Sequence, residues 1–149
     1  MINKETLLRG DKENPYHLSI GQVIINNQNQ IALIQKSSGV LTLPRETTYI
    51  EESYAEALVR GAQEEIGVTI KPIRFLGSLI TSFNRDSETV IEKSTLYFLS
   101  IMLEETENNL ELDEIEDTLI WIEPTEAIEK LKEQDNPEAE IITRVLVGE

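Results

Sequence analysis

The stretch Glu52-Ser53-Tyr54-Ala55-Glu56-Ala57-Leu58-Val59-Arg60-Gly61-Ala62-Gln63-Glu64-Glu65-Ile66-Gly67-Val68 decides how the chain is read. Ser53 and Glu56 have the spacing of a capping box, in which hydroxyl and carboxylate satisfy backbone N–H groups at the start of a helix, so a helix is expected from Ser53 to Ile66. Gly67, just after the last apolar position, is the usual stop residue. At about 100° per residue, Ala55, Val59, Ala62 and Ile66 fall on one stripe, the expected packing face. The other side is polar and holds Glu64 next to Glu65, flanking the direction in which residue 61 points one turn earlier. Two carboxylates held so close are stabilised by a hard divalent cation such as Mg²⁺ or Mn²⁺. The plainer reading is a solvated helix face in a chain with 28 acidic residues. Arg60 can pair with Glu56 and with Glu64, each four residues away.

Outward from this helix, His17 to Ile25 and Gln30 to Gln35 read as a β-hairpin about the turn cluster Asn26-Asn27-Gln28-Asn29. Strands are expected at Val68 to Ile73, Phe75 to Phe83, Ser94 to Leu103 and Thr118 to Ile122, with a turn at Asn84-Arg85-Asp86-Ser87. Further helices are expected at Thr125 to Lys132 and Glu138 to Val147, each following a proline placed where a first turn tolerates one. Eight acids and no base between Glu104 and Asp117 suggest a solvated loop. The mixture predicts an α/β (α+β) fold, an α/β/α sandwich with a mixed sheet. One domain over residues 1–149 is expected, with its core at about 17–132 and a C-terminal helix at about 138–147.

Composition narrows the function. With no cysteine, disulfides, thiolate metal sites and thiol nucleophiles are excluded. A formal net charge of −15 opposes a phosphate backbone, so long nucleic acid is not an expected partner. A small phosphorylated ligand remains compatible, because bound cations reverse the local sign of an acidic site. No apolar run approaches 18 residues and no signal-like start is present, so neither membrane insertion nor secretion is expected and a cytoplasmic protein is.

From Glu46 to Val68 the chain resembles the Nudix box, Gly-x5-Glu-x7-Arg-Glu-U-x-Glu-Glu-x-Gly-U, with U a bulky aliphatic residue. Six of its nine fixed positions match in one ungapped register: Glu52, Arg60, Glu64, Glu65, Gly67 and Val68. Ala62 is a small version of the first aliphatic position. Two departures stand out: Glu46 replaces the box glycine and Gly61 replaces the glutamate after arginine. Flanking segments Ile31 to Lys36, the Leu-x-Leu-Pro ending at Pro44, and Trp121 before Glu126-Ala127 extend the likeness to about Leu18 to Leu131.

The resemblance implies cleavage of a pyrophosphate linkage in a nucleoside diphosphate derivative by water, with Mg²⁺ or Mn²⁺ held by box glutamates. It implies Glu64 and Glu65 as catalytic metal ligands, Arg60 as the residue orienting a carboxylate, and Glu52 as support for the loop-helix junction or the metal shell. Glycine at 61 costs a helix roughly 1 kcal/mol relative to alanine, so propensity does not explain it. Glu46 is a candidate for the carboxylate missing at 61. Glu116, with Glu114 or Asp117, is a candidate from the acidic loop. Lys36, Arg45 and Tyr97 are candidate substrate contacts, with Phe98 and Phe83 as further stacking candidates, although aromatic residues in strands more often belong to a core. His17 reads as structural. The alternative function is a catalytically impaired module of the same fold that binds a nucleotide or a protein partner. Isopentenyl diphosphate isomerisation, which leans on cysteine in this family, is disfavoured.

Overall fold

The computed structural model describes residues 10–49, 51–105 and 117–146. Among the described residues, seven strands and three helices follow one another as β1 (Tyr16–Ile25), β2 (Ile31–Gln35), β3 (Leu41–Thr42), β4 (Arg45–Thr47), α1 (Tyr54–Ile66), β5 (Val68–Asn84), β6 (Val90–Glu105), β7 (Thr118–Ile122), α2 (Pro124–Glu133) and α3 (Glu138–Leu146). The strands form one mixed sheet of order β3-β2-β1-β6-β5, with β4 pairing β1 and β7 pairing β2. Among the described strands only β1 and β6 run parallel, in register from Tyr16↔Glu92 to Ile25↔Ile101. Among the described residues, no helix is long and apolar enough to cross a membrane.

Strand β1 is buried on both faces, which is why its middle reads Ile20-Gly21-Gln22-Val23-Ile24 with little alternation. Ile20 and Ile24 pack under α1 with Ala57, Leu58, Ala62 and Ile66. Val23 packs on the other side with Leu131, Ile141 and Ile142 from α2 and α3. The result is the expected sandwich, one helix on one face and two on the other.

The expected hairpin is present but brief. Asn26 Oδ1 accepts from the Gln28 and Gln30 N–H groups at 2.9 Å each, and Asn29 takes a positive φ of 61°. The β1–β2 ladder holds only Ile25↔Ile31 before β2 diverges to pair with β7. On the same side β1 is taken over by β4, through Ser19↔Thr47, Ile20↔Glu46 and Gly21↔Arg45. Strands β3 and β4, absent from the sequence reading, are too short to carry a periodic signal. The segments Val68–Ile73 and Phe75–Phe83 are one strand, β5, broken in register at Thr69/Ile70, Pro72/Arg74 and Phe75/Gly77. Glu104 and Glu105 end β6 rather than opening a loop, while residues 106–116 and Val147 lie outside the described residues.

Helix α1 begins as expected. Glu56 N–H donates to Ser53 Oγ at 3.1 Å, and Ser53 N–H donates to Glu56 Oε1 at 2.8 Å. Gly67 closes it in the left-handed region at φ 68°. Ser53→Ala is expected to cost about 1 kcal/mol, read from the urea midpoint; an unchanged midpoint would show that the cap is not limiting. The packing face differs from the expected stripe. Ala55 and Val59 are exposed, and the buried side runs through Ala57, Leu58, Gly61, Ala62 and Ile66. The helix is rotated by roughly a quarter turn because Ala57 and Gly61, which contribute little to a hydrophobicity pattern, are small enough to bring the axis close to the sheet.

Candidate active site

Divergence of β2 from β1 leaves room for β4 beside the buried side of α1. Alternation along β4 sends its side chains to opposite faces of the sheet. Glu46, opposite Ile20, faces α1, and Arg45, opposite Gly21, faces α3. Glu46, Gly61, Glu65 and Gln22 line a notch of about 10 Å³, space for about one water-sized species. Gln22 joins three elements in the interior. Its Nε2 donates to the Leu58 carbonyl at 3.0 Å, and its Oε1 accepts from Ser100 Oγ at 2.8 Å. Sequence reasoning missed Gln22, although one amide inside an otherwise apolar strand is the mark of a buried polar link.

Arg60 is the hub. Its Nε donates to Glu52 Oε2 at 2.6 Å, and its Nη2 donates to Glu52 Oε1 at 2.9 Å and to the Thr47 carbonyl at 3.1 Å. Its Nη1 reaches Glu64 Oε2 at 3.2 Å and Glu46 Oε2 at 3.3 Å. The guanidinium lies over the Tyr49 ring, 4.4 Å from its centre. Glu52 also accepts from the Tyr49 N–H at 3.2 Å, so the loop before α1 is fastened to the middle of the helix. The pairing of Arg60 with Glu56 does not form, since Glu56 is committed to the cap.

Three carboxylates therefore share one guanidinium, and the charges do not balance. Burial pushes the Glu46 carboxyl up to about 7, and Glu64 beside it adds to the rise against the opposing pull of Arg60. Burial also acts to raise Glu52, but the hydrogen bonds and charge of Arg60 with the Tyr49 N–H outweigh it and hold Glu52 below the usual carboxylate range. Among the described residues, no three carboxylates or imidazoles are gathered around one point as a finished metal centre. The donor set nevertheless fits a hard dication. It is all oxygen, it carries uncompensated negative charge, and Glu46 and Glu64 stand close enough to raise the affinity for a positive species.

The other predicted residues lie apart from this cluster. Lys36 Nζ pairs with Asp117 at 3.0 Å, at the end where β2 meets β7. Glu116 lies outside the described residues. Tyr97 is 1% exposed, and its hydroxyl donates to the buried Glu138. Its ring packs where a side chain at Gly21 would sit, so Tyr97 is a core residue out of reach of a stacking base. Phe83 packs edge-on against His17. Arg45 stands 3.7 Å from Glu138 and lines the notch as well as an open cleft of about 510 Å³ on its other side. Ser38, Thr42, Gln134 and Asn136 also line that cleft.

The NUDIX domain model matches residues 15–145, and the chain belongs to this family. Its fold is similar to that of a MutT protein from Methanosarcina mazei Go1, with a TM-score of 0.63 and 22% identity over 87% of this chain and 92% of that one. A NUDIX hydrolase from Nitrosomonas europaea is similar with a TM-score of 0.65 and 18% identity over 89% of each chain. Comparison with curated proteins gives no match.

Proposed function

We propose that the protein is a metal-dependent pyrophosphohydrolase acting on a nucleoside diphosphate derivative. The observation carrying this reading is an acidic notch of ion size between β4 and α1, beside the Arg60 hub, with a cleft of about 510 Å³ on the opposite face of β4. The cleft volume falls within the range of small-ligand sites, about 300–1,000 Å³. Glu64 and Glu65 would hold Mg²⁺ or Mn²⁺, with Glu52 holding the hub in place. Such an ion supplies charge neutralisation at the phosphates and lowers the pKa of water. Arg45 borders the cleft and is the candidate phosphate contact there, and Arg60 keeps the Glu64 carboxylate in place from one turn away. The remainder of the substrate lies along Ser38, Thr42 and Asn136.

The test is a panel of nucleoside diphosphate derivatives, dinucleoside polyphosphates and capped RNA, assayed with Mg²⁺ and with Mn²⁺. Wild type is expected to turn over at least one of them, and Glu64→Gln to lower that rate by at least about tenfold. Absence of turnover in wild type together with turnover in Gly61→Glu would reject the hydrolase in favour of a binding module.

A further inference from the structure

Gly61 and Glu46 explain each other. Glycines with positive φ occur at Gly39, Gly67 and Gly77, and Gly61 is not among them, so the backbone of α1 does not require glycine there. What requires it is space. A Cβ built on Gly61 would lie 3.2 Å from Glu46 Cβ, 3.4 Å from its Cγ and 3.9 Å from its Oε2. The Glu46 side chain thus runs through the volume that a side chain at 61 would enter, and it ends on Arg60 Nη1. Position 46 likewise has no need of glycine. Glu46 lies in a strand paired with Ile20, and the described non-glycine residues with positive φ are Asn29 and Asp135 only.

We propose that positions 46 and 61 are an exchanged pair, in which β4 delivers through Glu46 the carboxylate that α1 does not provide, and Gly61 is the opening that admits it. This rests on the metal-dependent reading and adds to it the source of a third oxygen donor beside Glu64 and Glu65. It also explains why the two departures from the box occur together. Either change alone would leave the notch with a void or with two side chains in one place.

The experiment is a double-mutant cycle of Glu46→Gly, Gly61→Glu and both together, with Glu46→Gln as an isosteric control. Two readouts apply to each variant: thermal unfolding in chelator, and Mn²⁺ affinity from the free-ion electron paramagnetic resonance signal. Gly61→Glu is expected to lower the melting temperature by about 5 °C or more. Glu46→Gly and Glu46→Gln are expected to weaken Mn²⁺ binding about tenfold or more. The double variant is expected to recover both properties to within about threefold in affinity and a few degrees in melting temperature. A double variant no better than its worse parent would overturn the exchange. Mn²⁺ affinity unaltered in Glu46→Gln would remove Glu46 as a donor while the hydrolase reading stands, whereas wild type that binds no Mn²⁺ overturns both.

Discussion

Arg60→Ala is expected to destabilise the metal-free protein by about 3 kcal/mol and to lower the unfolding midpoint in urea accordingly. The size follows from what remains behind. Glu52 is only 9% exposed and accepts two of the guanidinium's hydrogen bonds, while Glu46 at 21% and Glu64 at 37% share a third nitrogen. Without Arg60 these carboxylates face one another with no internal cation, and the Thr47 carbonyl loses its donor. Arg60→Lys is expected to rescue little, because one ammonium cannot reproduce the fork that grips both oxygens of Glu52. A loss below about 1 kcal/mol in Arg60→Ala would place the pairing with ordinary surface ion pairs.

In chelator, the metal-free protein is expected to lose stability between about pH 5 and pH 8, by at most about 3 kcal/mol, because of Glu46. Its carboxyl stands at about 7 in the folded chain, raised from 4.5. The folded state therefore holds a proton that the unfolded state has released. The associated stability is fully present below the unfolded value and is lost as pH rises through the folded one, at about 1.4 kcal/mol per pKa unit. Glu52 works in the opposite direction, its contribution falling away in acid, so it does not mask this window. Glu46→Gln keeps the shape and removes the titration. It is expected to match wild type below about pH 4.5 and to exceed it in stability at about pH 8. Parallel pH profiles for the two proteins would show that Glu46 is ionised throughout, against the burial that raises it.

The features that were legible in the sequence are those set by neighbours along the chain. Ser53, Glu56 and Gly67 fix the ends of α1 through contacts within four residues, and the described structure contains each of them. The rotation of that helix was not legible, since Ala57 and Gly61 pack by being small rather than by being hydrophobic. Nor was the hub. Glu52 lies eight positions from Arg60, and they meet only because the loop folds back beneath the helix. The facing of Glu46 and Gly61 appeared in the sequence as a reciprocal substitution without a geometry. Its geometry comes from β4, three residues long and paired to a strand more than twenty positions earlier. Tyr97 looked available because its strand is rich in aromatic residues, while the partner that holds it inside, Glu138, lies at the start of the last helix.

The irregularity of β5 has a consequence for how this chain tolerates its neighbours in a crowded solution. At 17 residues it is the long outer strand of the sheet, and Ile73, Phe75 and Ile80 on it are exposed. A flat strand of that kind would be a template for recruiting other chains into fibrils. Here three register breaks, Pro72, the φ of 147° at Gly77 and the Arg144 guanidinium bonded to the Leu76 carbonyl at 2.7 Å interrupt the row of free backbone groups. These interruptions all fall between Val68 and Gly77 and protect that half of the border, while Ser78 to Asn84 continues in regular register against β6.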